Sequence, residues 1–216
     1  MLNVMNIPDC FKIDRSGFGK DPFGYGALAN IKFGMASSYS GSSVGVTKPT
    51  NNGDLKNPVL WLTQTQALTE AAIAVFRNEP SFENMPVLMR GVCDSQYCAV
   101  GLMLVGYSLE VSLKAMIIMK HGIESYQETE RKNKHHRLHD LAKFIPDLTK
   151  KDIAILRGLT HFVYWAGRYP DPGTGDEEKV EDIFRISEKY QISAKDLFIL
   201  SAKITGYAET VANAEC

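Results

Sequence analysis

CAVGLMLVGYSLEVSLKAMIIM, Cys98 to Met119, is the stretch on which the fold turns. Its length and apolar content match a membrane span, yet Glu110 and Lys114 stand in its centre. A single apolar stretch broken by two charges reads as the buried central helix of a soluble bundle, with no membrane partner. The two charges are four residues apart with the acid first, the favourable order for a helical ion pair. Two arrangements fit them. On a narrow solvent-facing strip the pair adds little; in a cleft between helices, desolvation is unfavourable unless a ligand uses the charges.

Outward from this segment, the prolines from Pro58 onward fall between periodic stretches and mark helix boundaries. The pattern predicts a helix over 59–77, with Leu68, Ala71, Ala72, Val75 and Phe76 on one face. The central helix is expected over 95–120, with Gly122 placed as a C-terminal cap. A short helix starts near Leu138 and stops before Pro146. Thr149 with Asp152 forms a capping signal for a helix reaching Trp165, in which Ile153, Leu156, Leu159, Phe162 and Val163 recur at helical spacing. Thr174 with Glu177 signals a further start, with Val180, Ile183, Phe184 and Tyr190 inward. Ser193 with Asp196 opens the last helix, with Leu197, Leu200, Ile204, Tyr207, Ala208 and Val211 inward. No alternating strand pattern appears after residue 58, so residues 58–216 read as an all-α bundle whose two longest helices are antiparallel neighbours.

Residues 1–57 differ. They hold 8 of the 17 glycines, SSYSGSSVGV and TKPTNNGDLKNP, without a sustained 3.6-residue period. The expectation is an irregular arm, with short strands at most in FKI, FGYGAL and IKFGM.

The 216 residues are 44% hydrophobic and 23% charged, near the globular average, which argues against a disordered or fibrous chain. A formal charge of -1 gives no general attraction to polyanions, so nucleic-acid binding requires a local patch. Cys10, Cys93, Cys98 and Cys216 have neither CxxC nor zinc-ligand spacing and read as reduced thiols. MLNVMNIPDCFKIDRSG lacks the basic and apolar regions of a signal peptide, so the expected location is cytoplasmic.

Two segments carry residues suited to chemistry. RKNKHHRLHDL, Arg131 to Leu141, places four Lys/Arg and three His in nine residues before its first acid. It reads as a solvated loop leading into a helix or as a phosphate-contacting loop, in which Lys132, Lys134, His136 and Arg137 meet RNA. Helical spacing of His135, His136 and His139 near Asp140 also permits a metal site, but no further His or Cys cluster completes a ligand set, so neither metal nor cofactor is expected. RGLTHFVYWAGRYPDP, Arg157 to Pro172, sets Arg157 and His161 four apart on one helical face, with Arg168 at the helix end. Such a pair suits RNA phosphodiester cleavage, the histidine moving protons and arginines holding charge on phosphorus. It equally suits helix capping and packing.

GYSLEVSLKAMIIMKHG (106–122), HRLHDLAKF (136–144) and the helix ending in RGLTHFVYWAGRYPDP, in that order, resemble the HEPN family of small α-helical domains of prokaryotic toxin, defence and nucleotidyltransferase-associated proteins. The resemblance covers roughly residues 58–214. It implies an HEPN-like antiparallel helical bundle, often a homodimer, whose cleft lies where the two fourth helices face each other. Catalytic members of the family are metal-independent endoribonucleases with an Arg, four to six residues, then a His. Arg157 and His161 have three residues between them, one short of that pattern, and Gly158 stands where a polar residue commonly follows. The resemblance therefore implies a degenerate motif in a non-catalytic module binding RNA, a nucleotide or a partner protein such as an antitoxin or nucleotidyltransferase. The alternative is a homodimeric endoribonuclease with Arg157, His161 and Arg168 catalytic. Glu110, Lys114, His139, Asp140 and Tyr169 are the accompanying candidates for ligand binding.

Overall fold

The computed structural model describes residues 8–41, 52–130, 136–173 and 182–214. All regular structure among them is helical: α1 (Pro22–Ala27), α2 (Ala29–Tyr39), α3 (Asn52–Leu55), α4 (Pro58–Arg77), α5 (Val87–Thr129), α6 (Leu138–Leu141), α7 (Lys150–His161), α8 (Ile183–Tyr190) and α9 (Ala194–Ala214). The chain divides into two compact units, Met1–Leu60 and Trp61–Cys216.

The first unit corrects the expectation of an irregular arm. No strand occurs among its described residues, and α1 and α2 occupy FGYGAL and IKFGM. Asp21 caps α1, its Oδ1 accepting from the Gly24 amide at 2.8 Å, with Pro22 in the first turn. That Asp-Pro pair is a helix-start signal in its own right. It is masked by Gly24, Gly26 and Gly34, and by apolar residues in α2 that do not gather on one face. Phe11 packs against Tyr39 and Phe18 against Tyr25, while Ile13 and Phe23 stay exposed.

The second unit is built around α5. α9, α7, α6 and a π-helical turn (Phe162–Ala166) pack on it. α4 lies antiparallel to it: Trp61 meets Tyr126, Thr69 meets Ser108, and Phe76 meets Gly101. Leu109, Leu113, Met116, Leu156, Leu200 and Ile204 are almost wholly removed from solvent and form the core. Removing each such side chain from water contributes about 1.5–3 kcal/mol. α5 extends beyond the expected span at both ends and is interrupted at Gly122, whose φ of 78° suits glycine. By length and composition α5 could cross a membrane, but more than half of its most apolar window is buried within the fold.

Close helix approach rests on missing side chains. A Cβ on Gly106 would lie 2.3 Å from Val163 Cγ2, and one on Gly167 would lie 2.4 Å from Met103 Cβ. Between them the amide of Gly167 donates to the Phe162 carbonyl at 3.0 Å, the wider π-type bond that closes this turn. The Thr149 capping box forms in full, and Ser193 and Asp196 exchange the matching bonds at the start of α9.

Two inward faces differ from expectation. On α4 the face toward the core includes Leu62, Thr65, Ala72 and Phe76, leaving Ala71 exposed, because the Thr65 and Thr69 hydroxyls bond backward along the helix and tolerate burial. α8 begins at Ile183 under an Asp182 cap, and Phe184 is 90% exposed while Ile183 and Ile186 turn toward the body. The Thr174 and Glu177 start signal and Val180 lie outside the described residues, as do Lys132, Lys134 and His135.

Candidate functional site

The two charges in the middle of α5 are buried. The Glu110 side chain is 7% exposed and that of Lys114 12%, and the Lys114 ammonium donates to Glu110 Oε1 at 2.7 Å. The solvent-strip arrangement is thereby excluded. The other carboxylate oxygen, Oε2, lies 2.8 Å from His136 Nδ1. Burial pushes the Glu110 carboxyl up, but the hydrogen bonds from His136 and Lys114, with their charges, outweigh it and hold it below its ordinary 4.5. Glu110 is therefore ionised at neutral pH, with each oxygen hydrogen-bonded.

His136 reaches Glu110 from the segment preceding α6 and is fixed by its surroundings. The Tyr107 ring meets its imidazole edge-on at 6.0 Å. Two residues further on, the Leu138 amide donates to Thr160 Oγ1 at 3.0 Å, and that hydroxyl donates onward to the Leu156 carbonyl at 2.8 Å. This relay pins the start of α6 to α7. Across the cluster, burial pushes the Tyr126 hydroxyl up to about 12, helped by the negative charges of Glu130 and Glu110. Tyr107 and Thr160 escape a reading by spacing because their contacts, to His136 and to the Leu138 amide, cross between elements. Ser112, one turn from Ser108 on α5, buries a hydroxyl without a hydrogen-bond partner, for which the structure offers no explanation.

His139 and Asp140 face a different set of partners. Asp140 accepts from Lys143 at 2.7 Å and Arg137 at 3.0 Å, with His139 Nε2 at 3.9 Å. The Lys143 hydrogen bond is the chief cause holding its carboxyl below the usual range. Asp140 is thus an anchor for cations around α6, and Arg137 keeps a largely exposed side chain while engaged there.

The Arg157 to Pro172 stretch looks different from the buried cluster. Arg157 is exposed. His161 is half-buried, its ring edge-on to Trp165 at 4.7 Å and to Phe162 at 5.4 Å. The Arg168 guanidinium donates to the Tyr164 carbonyl at the end of the helix and lies over the exposed Tyr169 ring at 5.3 Å. Capping and stacking therefore account for Arg168, as the packing interpretation expects.

No group of three or more His, Cys, Asp or Glu arranged to hold a metal ion occurs among the described residues. Cys93 and Cys98 are free thiols. An apolar cavity of about 570 Å³ opens between α7, α8 and α9, lined by Phe76, Leu102, Ile155, Phe162 and Phe198 among others. None of its lining residues is titratable. No protein-family model matches this chain, and neither the curated proteins nor the solved structures yield a match.

Proposed function

We propose that the chain is an HEPN-like domain of a prokaryotic toxin or defence system that binds RNA or a nucleotide without cleaving it. The observation that carries this reading is the state of the degenerate motif. Its histidine packs against Trp165 and Phe162 of its own helical segment, while Arg168, the second phosphate-holding candidate, caps that segment. The carboxylate-held imidazole, an arrangement suited to proton transfer, is found instead at His136, outside that motif. The domain acts in the cytoplasm as a homodimer, with an antitoxin or nucleotidyltransferase as partner protein. The exposed Val87, Leu88, Met89 and Val92 at the start of α5 supply apolar surface in keeping with association.

A second reading, a metal-independent endoribonuclease, draws support from the Glu110–His136 contact, because a buried carboxylate on one imidazole nitrogen is the usual support of a general acid or base. RNA binding and cleavage in EDTA, measured on the wild type, on Arg157→Ala/His161→Ala and on His136→Asn, separate the two. Binding without cleavage is expected. Cleavage by the wild type that either variant loses while still folded would establish the endoribonuclease.

A further inference from the structure

The apolar cavity beside α7 is larger than close packing leaves behind. At about 570 Å³ it is almost four times an apolar void of about 150 Å³, which stays dry and takes up benzene, and it has the size of a small-molecule pocket. Apolar voids lower stability in proportion to their volume, so packed elements close over them where they are free to move. Two ties hold this one open. Lys151, on the face of α7 that also carries Ile155 and Gly158, donates to the Gln191 carbonyl at 3.0 Å and pairs with Asp196 at 2.7 Å. Those bonds set the corner between α8 and α9 at a fixed distance from α7. At the other end, Phe76 of α4 meets Phe198 of α9 edge-on with ring centroids 6.1 Å apart, and the Phe76 ring fills the place that a Cβ on Gly101 would take. In the α7 wall, a Cβ on Gly158 would meet nothing within 4 Å. Glycine inside a helix is unfavourable relative to alanine, and no close approach of another element calls for it at this position. Gly158 instead adds to the room in the cavity that it lines.

The lining selects the ligand. Among the described lining residues the only polar side chains are Ser187 and Ser193, and the Ser193 hydroxyl already donates to Asp196 at 2.6 Å. A charged group placed inside would lose its water without gaining a counter-ion, which excludes ions and phosphates. We infer that the cavity binds an uncharged, hydrocarbon-rich small molecule of roughly 15–20 heavy atoms with at most one polar end. Phe76, Phe162 and Phe198 supply ring surface for it, and the isoleucines of α7 and α8 supply the rest. The cavity shares no residue with the Glu110 cluster, so this inference stands apart from the RNA-binding reading.

The test uses the full chain and two uncharged probes, N-phenyl-1-naphthylamine for rings and dodecanol for a straight chain. Binding is read from the fluorescence of the first and its displacement by the second, and location from the isoleucine ¹³C-methyl spectrum. Ile155, Ile183, Ile186 and Ile192 line the cavity, whereas Ile118 and Ile145 are buried outside it. The expected result is a Kd of about 10 μM, movement of the four cavity signals, and a loss of at least about tenfold in affinity in Gly158→Leu, whose side chain enters the cavity. Displacement by dodecanol would assign the site to alkyl chains, and binding of the naphthylamine alone to rings; either supports the inference. Unchanged affinity in folded Gly158→Leu would overturn it. So would binding that leaves the cavity isoleucines unmoved and is lost in Leu88→Ser, which would place the probe on the exposed start of α5. Absence of binding up to the solubility limit of both probes would also overturn it, as would cavity signals that shift with protein concentration alone and mark a second copy as the occupant. The wild-type spectra decide the matter even if Gly158→Leu folds poorly.

Discussion

The cluster around Glu110 and the end of α7 contain similar residues, a histidine with a cation four or fewer residues from a partner, but they are built differently. In the first, Glu110, Lys114 and His136 come from two segments, and a buried carboxylate holds both the ammonium and the imidazole. In the second, Arg157, His161 and Arg168 share one helical segment, where His161 meets the rings of Trp165 and Phe162 and Arg168 meets the Tyr164 carbonyl and the Tyr169 ring. Helical spacing guarantees a shared face but does not by itself bury a charge. That comes from packing one element against another.

The largest contrast is in stability. Lys114→Met leaves the Glu110 charge buried with one partner gone and is expected to destabilise by about 3 kcal/mol or more, whereas Arg157→Met at an exposed position should change stability by less than about 0.5 kcal/mol. Urea unfolding of the two variants checks this, and equal midpoints would erase the distinction between the regions. Next come the glycines: Gly106→Ala forces a Cβ into Val163 and should destabilise by about 1–3 kcal/mol. Gly158→Ala meets nothing within 4 Å inside a helix and should stabilise by up to about 1 kcal/mol. Thermal melts of the pair show whether α7 touches α5 where the structure has it.

A smaller effect is expected at His161. Replacing it by Ala removes its edge contacts with Trp165 and Phe162 and should lower stability by about 1 kcal/mol without altering RNA affinity. A lost affinity with an intact fold would return the functional role to α7. The subtlest test is the acid limb of stability. The folded state holds Glu110 below its ordinary 4.5, so the stability it contributes is complete above that pH and is lost as the pH falls through the folded value. Whatever its stability at neutral pH, Glu110→Gln should therefore show a shallower decline in urea midpoint below about pH 4.5. An unchanged slope would mean that Glu110 titrates alike in the folded and unfolded chain. Asp140 and Asp196, held low by Lys143 and Lys151, keep their own share of that decline in both proteins.

What could be read from the sequence was local. The capping signals at Thr149 and Ser193 each join residues three apart, and Gly122 interrupts its helix through its own backbone, so neither needs tertiary information. The helices near the N-terminus were hidden because an Asp-Pro start is followed by glycines and by no apolar face. Periodicity puts Phe184 on the inward side but assigns a face without its direction, and the side chain is exposed. At the site, the charges of Glu110 and Lys114 stood out as anomalies in an apolar helix, but their burial became visible only with the surrounding helices. Their meeting with His136 spans 26 residues and was invisible to spacing; the same histidine read naturally as one member of a basic run.

The most direct measurement is the imidazole N–H spectrum of the free protein, observed by long-range ¹H–¹⁵N correlation. The account predicts a downfield, slowly exchanging Nδ1–H proton on His136 that disappears in Glu110→Leu/Lys114→Met, a replacement that removes the acceptor without leaving a buried charge alone. A His136 ring without any protected Nδ1 proton, exchanging with solvent as a free imidazole does, would contradict the buried carboxylate–histidine contact on which the account depends.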